Sequence, residues 1–197
     1  MNQTITEDDR QSPAKENEDE LVQAAQQNPA RFDALYTRWL KPVYRYFYFR
    51  AGNVKDAEDL TSQVFLQVYR DLPRYHQRGA FSAWLFSIAH ARLVDHYRRN
   101  SHHSTQEIPF EKLEIQGAGS DPSTQTIQKA DIEQVIKLLN NLDEKGQGLI
   151  RLRFMAELSY REIGQILHCK EDTARKSVAR LLDRFKQQME NENDQAN

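Results

Sequence analysis

The stretch Leu158–Phe185, LSYREIGQILHCKEDTARKSVARLLDRF, decides how the chain is read. In its first part Ile163, Ile166 and Leu167 fall at i, i+3 and i+4, which makes one apolar helical face. In its second part Ala174, Val178, Leu181, Leu182 and Phe185 share a single stripe at helical spacing. At about 100° per residue, Asp172, Thr173, Lys176, Arg180 and Asp183 point the other way, with Arg175 on one flank. His168-Cys169-Lys170 between them has the length of a helix-turn-helix turn. Two readings fit this spacing: a hairpin of helices in an ordinary core, or a pair whose second helix is displayed to DNA. The rest of the chain has to choose.

Composition points to an all-α protein. Seven Gly and six Pro in 197 residues are too few for a turn-rich β architecture. One cysteine, Cys169, rules out an internal disulfide framework and suits a reducing compartment. No apolar run reaches the length of a membrane span, and the first residues, MNQTITEDDR, lack the basic and apolar parts of a signal peptide. A cytoplasmic protein without membrane insertion is the expectation. The net charge of −2 hides a division along the chain. Residues 1–20 hold seven acids and two bases, whereas 21–100 hold twelve bases and six acids, so the first half is permissive for a nucleic-acid partner.

Upstream of the opening stretch, the pattern divides into helices. Residues 1–17 read as a disordered acidic leader, and a helix is expected from Glu18. Asn28-Pro29 closes it and opens a second, with Asn as cap and Pro in the first position. That helix carries Phe32, Leu35, Tyr36, Trp39, Val43, Tyr44, Phe47 and Tyr48, a spacing that fits core packing better than base stacking. In a third, from Asp56, Leu60, Val64, Phe65, Val68 and Leu72 form the inward face. Asp56, Asp59, Gln63, Gln67 and Arg70 share the outer one, which reads as solvated or partner-binding. Pro73 ends that helix. A basic loop, Arg74-Tyr75-His76-Gln77-Arg78-Gly79, leads to a fourth helix with Phe81, Trp84, Leu85, Ile88 and Ala89 inward and Asp95-His96-Tyr97-Arg98-Arg99 near its end. Basic groups there complement the helix dipole, and mixed aromatic and basic groups also suit a splayed single strand.

Residues 101–120 have no period and end in Gly-Ala-Gly-Ser, a linker composition. Asp121-Pro122 opens a long helix through Ile127, Val135, Leu138, Leu139 and Leu142; Gly146 and Gly148 weaken the first turn of the next. The expected organisation is a leader at 1–17, a helical domain at 18–100, a linker at 101–121, a second helical domain at 122–187 and a polar tail at 188–197. No phosphate-binding glycine loop and no nucleophile–base arrangement stands out, so no cofactor is expected. His102, His103, His168 and Cys169 do not form a metal-ligand spacing, and none is assigned to a metal.

Four segments in order carry a resemblance: FDALYTRWLKPVYRYFYFRAGN, DAEDLTSQVFLQVYR, FSAWLFSIAHARLVDHYRR and the opening stretch itself. Together the chain resembles a two-domain sigma factor of the extracytoplasmic-function (ECF) type. The resemblance implies a non-catalytic subunit that joins core RNA polymerase and directs it to promoters, with an anti-sigma factor as a further partner and a monomeric free state. It implies that Asp56, Asp59, Ser62 and Gln63 dock on the clamp coiled coil, Ser62-Gln63 standing where the family carries Gln-Glu. Tyr75, His76, Gln77 and Arg78 match the loop that takes a flipped base of the minus-10 element, with Arg98 and Arg99 for phosphates. Trp84 matches a buried tryptophan and is expected in the core, and His90-Ala91 stands where the family carries Arg-Asn. Thr173, Arg175, Lys176 and Arg180 would read the minus-35 element. His168 replaces a turn glycine and is expected to need left-handed backbone; Glu171 and Asp172 make the start of the reading helix acidic. The competing reading is a stand-alone helix-turn-helix regulator, which would be a dimer on palindromic duplex.

Overall fold

The computed structural model describes residues 13–51, 53–76, 79–100, 138–139 and 141–195, with side chains described between 18 and 191 of these except at 100. Gln77, Arg78, the linker 101–121 and nearly all of the long helix expected after Asp121 lie outside the described residues. Among the described residues every regular element is helical, as composition and periodicity predict. Helix α1 spans Pro13–Gln27, beginning five residues before the expected start at Glu18. Pro13 suits a first helical turn, and Ala14, Lys15 and Glu16 favour the conformation, so the acidic character of the leader does not oppose a helix there.

The Asn28 side chain accepts from the Ala30 amide at 3.0 Å and caps a 3-10 turn, Pro29–Arg31, which feeds α2 at Phe32–Ala51. Its inner face is Leu35, Val43, Tyr46, Phe47, Tyr48 and Ala51. Phe32, Trp39 and Tyr44 pack half-buried against that core, whereas Tyr36 is 40% exposed, at the edge of the stripe that periodicity drew. Helix α3, Val54–Asp71, starts on Asn53, whose side-chain Oδ1 accepts from the Asp56 amide at 2.8 Å. It ends where Pro73 cannot continue it, in the 3-10 turn Leu72–Arg74. All five inward positions read from the sequence of α3 are buried. Helix α4, Phe81–Asn100, lies against α3 and contributes Phe81, Leu85, Phe86, Ile88, Ala89 and Leu93 to the core.

The second half begins at α5, Glu144–Ile150, capped by the Asp143 carboxylate on the Gly146 amide at 2.9 Å. That cap offsets the weakness of Gly146 and Gly148, both buried in this helix. A π-helical turn, Arg151–Met155, follows, then α6 at Tyr160–Ile166 and α7 at Glu171–Gln195. Helix α6 opens with a capping box, Ser159 and Glu162 each bonding the other's backbone amide. The turn from α6 to α7 is tight. His168 has φ 52°, the left-handed conformation expected of it, and the Cys169 amide donates to the Gly164 carbonyl at 2.9 Å. A Cβ on Gly164 would lie 2.6 Å from the Cys169 carbonyl oxygen, so only glycine allows this approach.

Of the stripe on α7, Ala174, Val178 and Leu181 are buried, while Leu182 is 42% exposed and Phe185 half-buried. The short helices α5 and α6 cover only the first turns of α7; beyond them most side chains up to Asn191 are exposed, and the helix continues to Gln195 where the sequence reads only as a tail. One continuous apolar cluster runs from Val22 and Ala25 of α1 to Leu181 of α7, so the two helical halves share a core.

Candidate nucleic-acid and partner-binding surfaces

The loop between α3 and α4 forms one wall of a cavity of about 430 Å³. Arg74, Tyr75, His76, Gly79 and Ala80 supply the loop side; Ala83, Trp84 and Ser87 supply the first turns of α4. The loop is held from below by the Gln26 side-chain amide of α1, which donates to the carbonyls of Leu72 at 3.0 Å and Tyr75 at 2.7 Å. Tyr75 and Trp84 face each other with ring centroids 4.5 Å apart at 36°, and Phe81 meets Tyr75 edge-on at 5.8 Å. Burial, with Glu18 and Asp19 nearby, raises the Tyr75 phenol above its ordinary range and keeps it a neutral donor; its hydroxyl points to the Gly79 carbonyl at 3.4 Å. A planar, apolar surface with polar groups at its rim can hold a flat aromatic ring by stacking.

Of the expected minus-10 residues, Tyr75 and His76 are in this cavity. Arg98 and Arg99 are at the far end of α4, some 25 Å along the helix at 1.5 Å per residue. Arg98 pairs with Asp95 at 3.2 Å, and Arg99 lines a separate cleft of about 200 Å³ with Leu60, Gln63, Arg92, Asp95 and His96. Trp84, expected to be wholly core, is half-buried: one side packs on the core and the other lines the cavity. Spacing marks Trp84 as inward but cannot show that one of its faces lines a cavity. Gln26 carries no sequence signal, because its partners are backbone carbonyls more than forty residues away.

The outer face of α3 presents Asp59, Ser62 and Gln63 to solvent. Asp56 is half-buried and engaged: Asn53 Nδ2 donates to it at 2.9 Å and His96 Nε2 lies 3.6 Å away. Gln67 accepts from both Arg92 Nε at 3.0 Å and Nη2 at 2.7 Å, which ties α3 to α4. Leu66 and Tyr69 are 57% and 48% exposed on the same helix, apolar surface that the polar reading of this face omits. The residues expected to dock thus alternate with large exposed apolar side chains, a mixture suited to a protein partner.

On α7, Thr173, Arg175, Lys176 and Arg180 are all exposed. Arg175 is braced: Glu171 accepts from it at 2.8 Å, and its guanidinium lies 5.6 Å from the centre of the Tyr160 ring. Glu171, one of the two acids at the start of this helix, therefore orients a basic side chain one turn on.

A seam joins the two halves. The buried Arg151 guanidinium lies 5.9 Å from the Tyr46 ring centre, and the Tyr46 hydroxyl is 3.0 Å from His90 Nδ1. Burial pushes the Tyr46 phenol up to about 12. Burial also lowers the His90 imidazole and the Arg151 charge lowers it further, which favours neutral His90 at this contact. Ser82 of α4 donates its hydroxyl to Glu162 of α6, both side chains being buried. Arg45 of α2 pairs with Glu157 at 3.5 Å.

With this geometry in view, likeness to known proteins is informative. The Sigma-70 region 2 family matches residues 35–103, which hold α3, the loop and α4. ECF RNA polymerase sigma factor BldN of Streptomyces coelicolor is 30% identical over 83% of this chain and 65% of its own length, so the match leaves about a third of that relative uncovered. ECF RNA polymerase sigma factor ShbA of Streptomyces griseus is 30% identical over 66% of this chain and 70% of its own. The sigma factor RpoE of Bartonella quintana, solved in complex with the anti-sigma factor NepR, has the same fold with a TM-score of 0.60 and 18% identity, over 81% of this chain and 96% of that one. Family match, relatives and helical architecture agree, and the chain belongs to the ECF RNA polymerase sigma factor family.

Proposed function

We propose that this protein is a cytoplasmic, non-catalytic subunit that joins core RNA polymerase and selects promoters for initiation. The observation that carries the reading is the cavity of Tyr75, His76 and Trp84, an aromatic surface open beside a basic loop, on the helix pair matched by Sigma-70 region 2. Extruding a base from duplex costs a few kcal/mol. Stacking against aromatic side chains returns about 1–3 kcal/mol per base, and polar rim contacts add selectivity. Residues 18–100 would form the unit that docks through Asp59, Ser62 and Gln63, with Leu66 and Tyr69 adding apolar contact; Asp56 acts chiefly as a brace at the start of α3. Arg99, in the cleft beside Gln63, would meet DNA phosphate several nucleotides from the base in the cavity.

Residues 122–187 would place α7 in the major groove at the minus-35 element. Lys176 and Arg180 on the exposed face suit phosphate, and the braced Arg175 suits a base edge. An anti-sigma partner is supported by the fold shared with RpoE, which was solved with NepR. The experiment is retention of core polymerase by immobilised protein, followed by transcription from a genomic fragment library with 5′-end mapping. Specific starts that need this protein are the expected result. Failure to retain core enzyme, with sequence-specific duplex binding by a dimer, would replace it with a stand-alone regulator.

A further inference from the structure

Three side chains at the turn of the helix pair gather around one basic group of α7. Glu171 holds the first position of α7 and Arg175 lies at i+4, where its Nη2 donates to the Glu171 carboxylate at 2.8 Å. The same guanidinium is 5.6 Å from the centre of the Tyr160 ring, at the capped start of α6. A second guanidinium, that of Arg153, lies 4.6 Å from that ring centre, and its Nη1 donates to the Leu158 carbonyl at 2.9 Å. Tyr160 and Arg153 are half-buried, whereas Arg175 is exposed, so the first two form a fixed bed and the third is displayed. Lys176 and Arg180 differ: among the described residues, neither has an ion pair or a ring contact.

On DNA an arginine can go to a phosphate or to a guanine edge, and the phosphate, being charged, is the stronger draw. Pairing with a carboxylate cancels most of that draw, because the pair as a whole is neutral. It costs much less toward guanine, whose O6 and N7 are uncharged acceptors, since the bond to Glu171 engages one of the five guanidinium N–H donors. The ring contact fixes the plane of the fork, so less rotamer freedom is lost when DNA arrives. We propose that Glu171 and Tyr160 are positioning residues that turn Arg175 from a phosphate contact into a reader of one guanine, giving up affinity for specificity. This rests on the reading of α7 as the minus-35 helix. Lys176 and Arg180 then supply attraction that is blind to sequence, and the bracketed Arg175 supplies discrimination. Removing Glu171 moves affinity and specificity in opposite directions, whereas the loss of a merely structural residue lowers both.

The test uses holoenzyme assembled from core polymerase and the full chain. The minus-35 segment of a promoter found by 5′-end mapping is randomised, bound sequences are counted, and affinity for the best and the poorest sequences is titrated against salt. The parent should favour guanine at one position by about tenfold or more. Glu171→Ala should cut that preference several-fold, bind the poorest sequences several-fold tighter, and steepen the salt slope by about one. Tyr160→Leu should also cut the preference, and Tyr160→Phe should keep it. In an Arg175→Ala background, Glu171→Ala should leave the slope unchanged. Glu171→Ala or Tyr160→Leu holoenzyme that keeps the parent's preference, or a gain in affinity and slope that persists without Arg175, would overturn the positioning role and leave the sigma reading intact. Parent protein that core polymerase does not retain, or parent holoenzyme indifferent to the minus-35 segment, would overturn the reading of α7 itself.

Discussion

Replacing Gly164 with alanine should damage this protein, whereas the same change at Gly148 should strengthen it. Both glycines are buried in helices, where exchange to alanine gains about 1 kcal/mol from backbone entropy. Their surroundings differ. A Cβ at position 148 meets nothing nearer than His90 Cε1 at 3.9 Å, ordinary contact, so most of the gain should survive. At position 164 the Cβ would stand 2.6 Å from the Cys169 carbonyl oxygen and 3.4 Å from the Glu171 amide nitrogen. Those are backbone atoms of the turn, which cannot rotate aside. Overpacking typically costs about 1–3 kcal/mol, and here relief needs movement of a turn already holding His168 at φ 52°. The net expectation is a loss of about 2 kcal/mol for Gly164→Ala and a gain of about 0.5–1 kcal/mol for Gly148→Ala. At roughly 2–4 °C per kcal/mol for a chain of this size, thermal denaturation followed by circular dichroism should show Tm falling by about 4–8 °C in the first and rising by about 1–4 °C in the second. A Gly164→Ala protein as stable as the parent would refute the close approach of turn and helix, and with it the placement of α7.

Trp84→Ala should disfavour promoter opening by about 1–3 kcal/mol, roughly five- to 150-fold in transcription with core enzyme, while retention by core stays unchanged and Trp84→Phe recovers most activity. Arg175→Ala should relax discrimination at one minus-35 position by about 1–3 kcal/mol, and Lys176→Ala should instead weaken all sequences alike and reduce the salt slope by about one, both read from footprint titrations at several salt concentrations. Glu18 is 3% exposed, one of its carboxylate oxygens has no hydrogen-bond partner, and burial, against the opposing charge of Arg38, raises its carboxyl above the ordinary value. A raised carboxyl gives stability below about pH 4.5 that is lost as pH climbs through the folded value. Glu18→Gln should therefore raise Tm at pH 7.5 and lose its advantage toward pH 4.5; equal shifts at both would show that the effect is not the buried charge.

Fold class was legible from the chain because helical periodicity is local. The inward sets of α3 and the start of α7 follow from spacing alone, and the cap at Asn28 and the turn at His168 follow from residue chemistry within a few positions. Much of the candidate site could be proposed for the same reason: the outward face of α7 and the loop at Tyr75 are continuous segments. What failed was everything set by a neighbour distant in sequence. Leu182 joins the apolar stripe by spacing yet is open to solvent, since α5 and α6 are too short to cover that turn of α7. Trp84 reads as core and is half cavity wall, because helical spacing does not show what lies opposite a face.

Asp56 and Asp59 look alike on a helical wheel, but only tertiary packing brings His96 beside the first. The two halves read as separate domains because an apolar stripe says that a face is covered, not by what. Periodicity therefore determined the helices, their caps and their displayed faces. Tertiary structure alone decided that Ser82 meets Glu162 and that Gln165 lines the cavity of the α3–α4 loop, because those partners lie some eighty residues apart and polar pairs at that separation leave no periodic trace in a sequence.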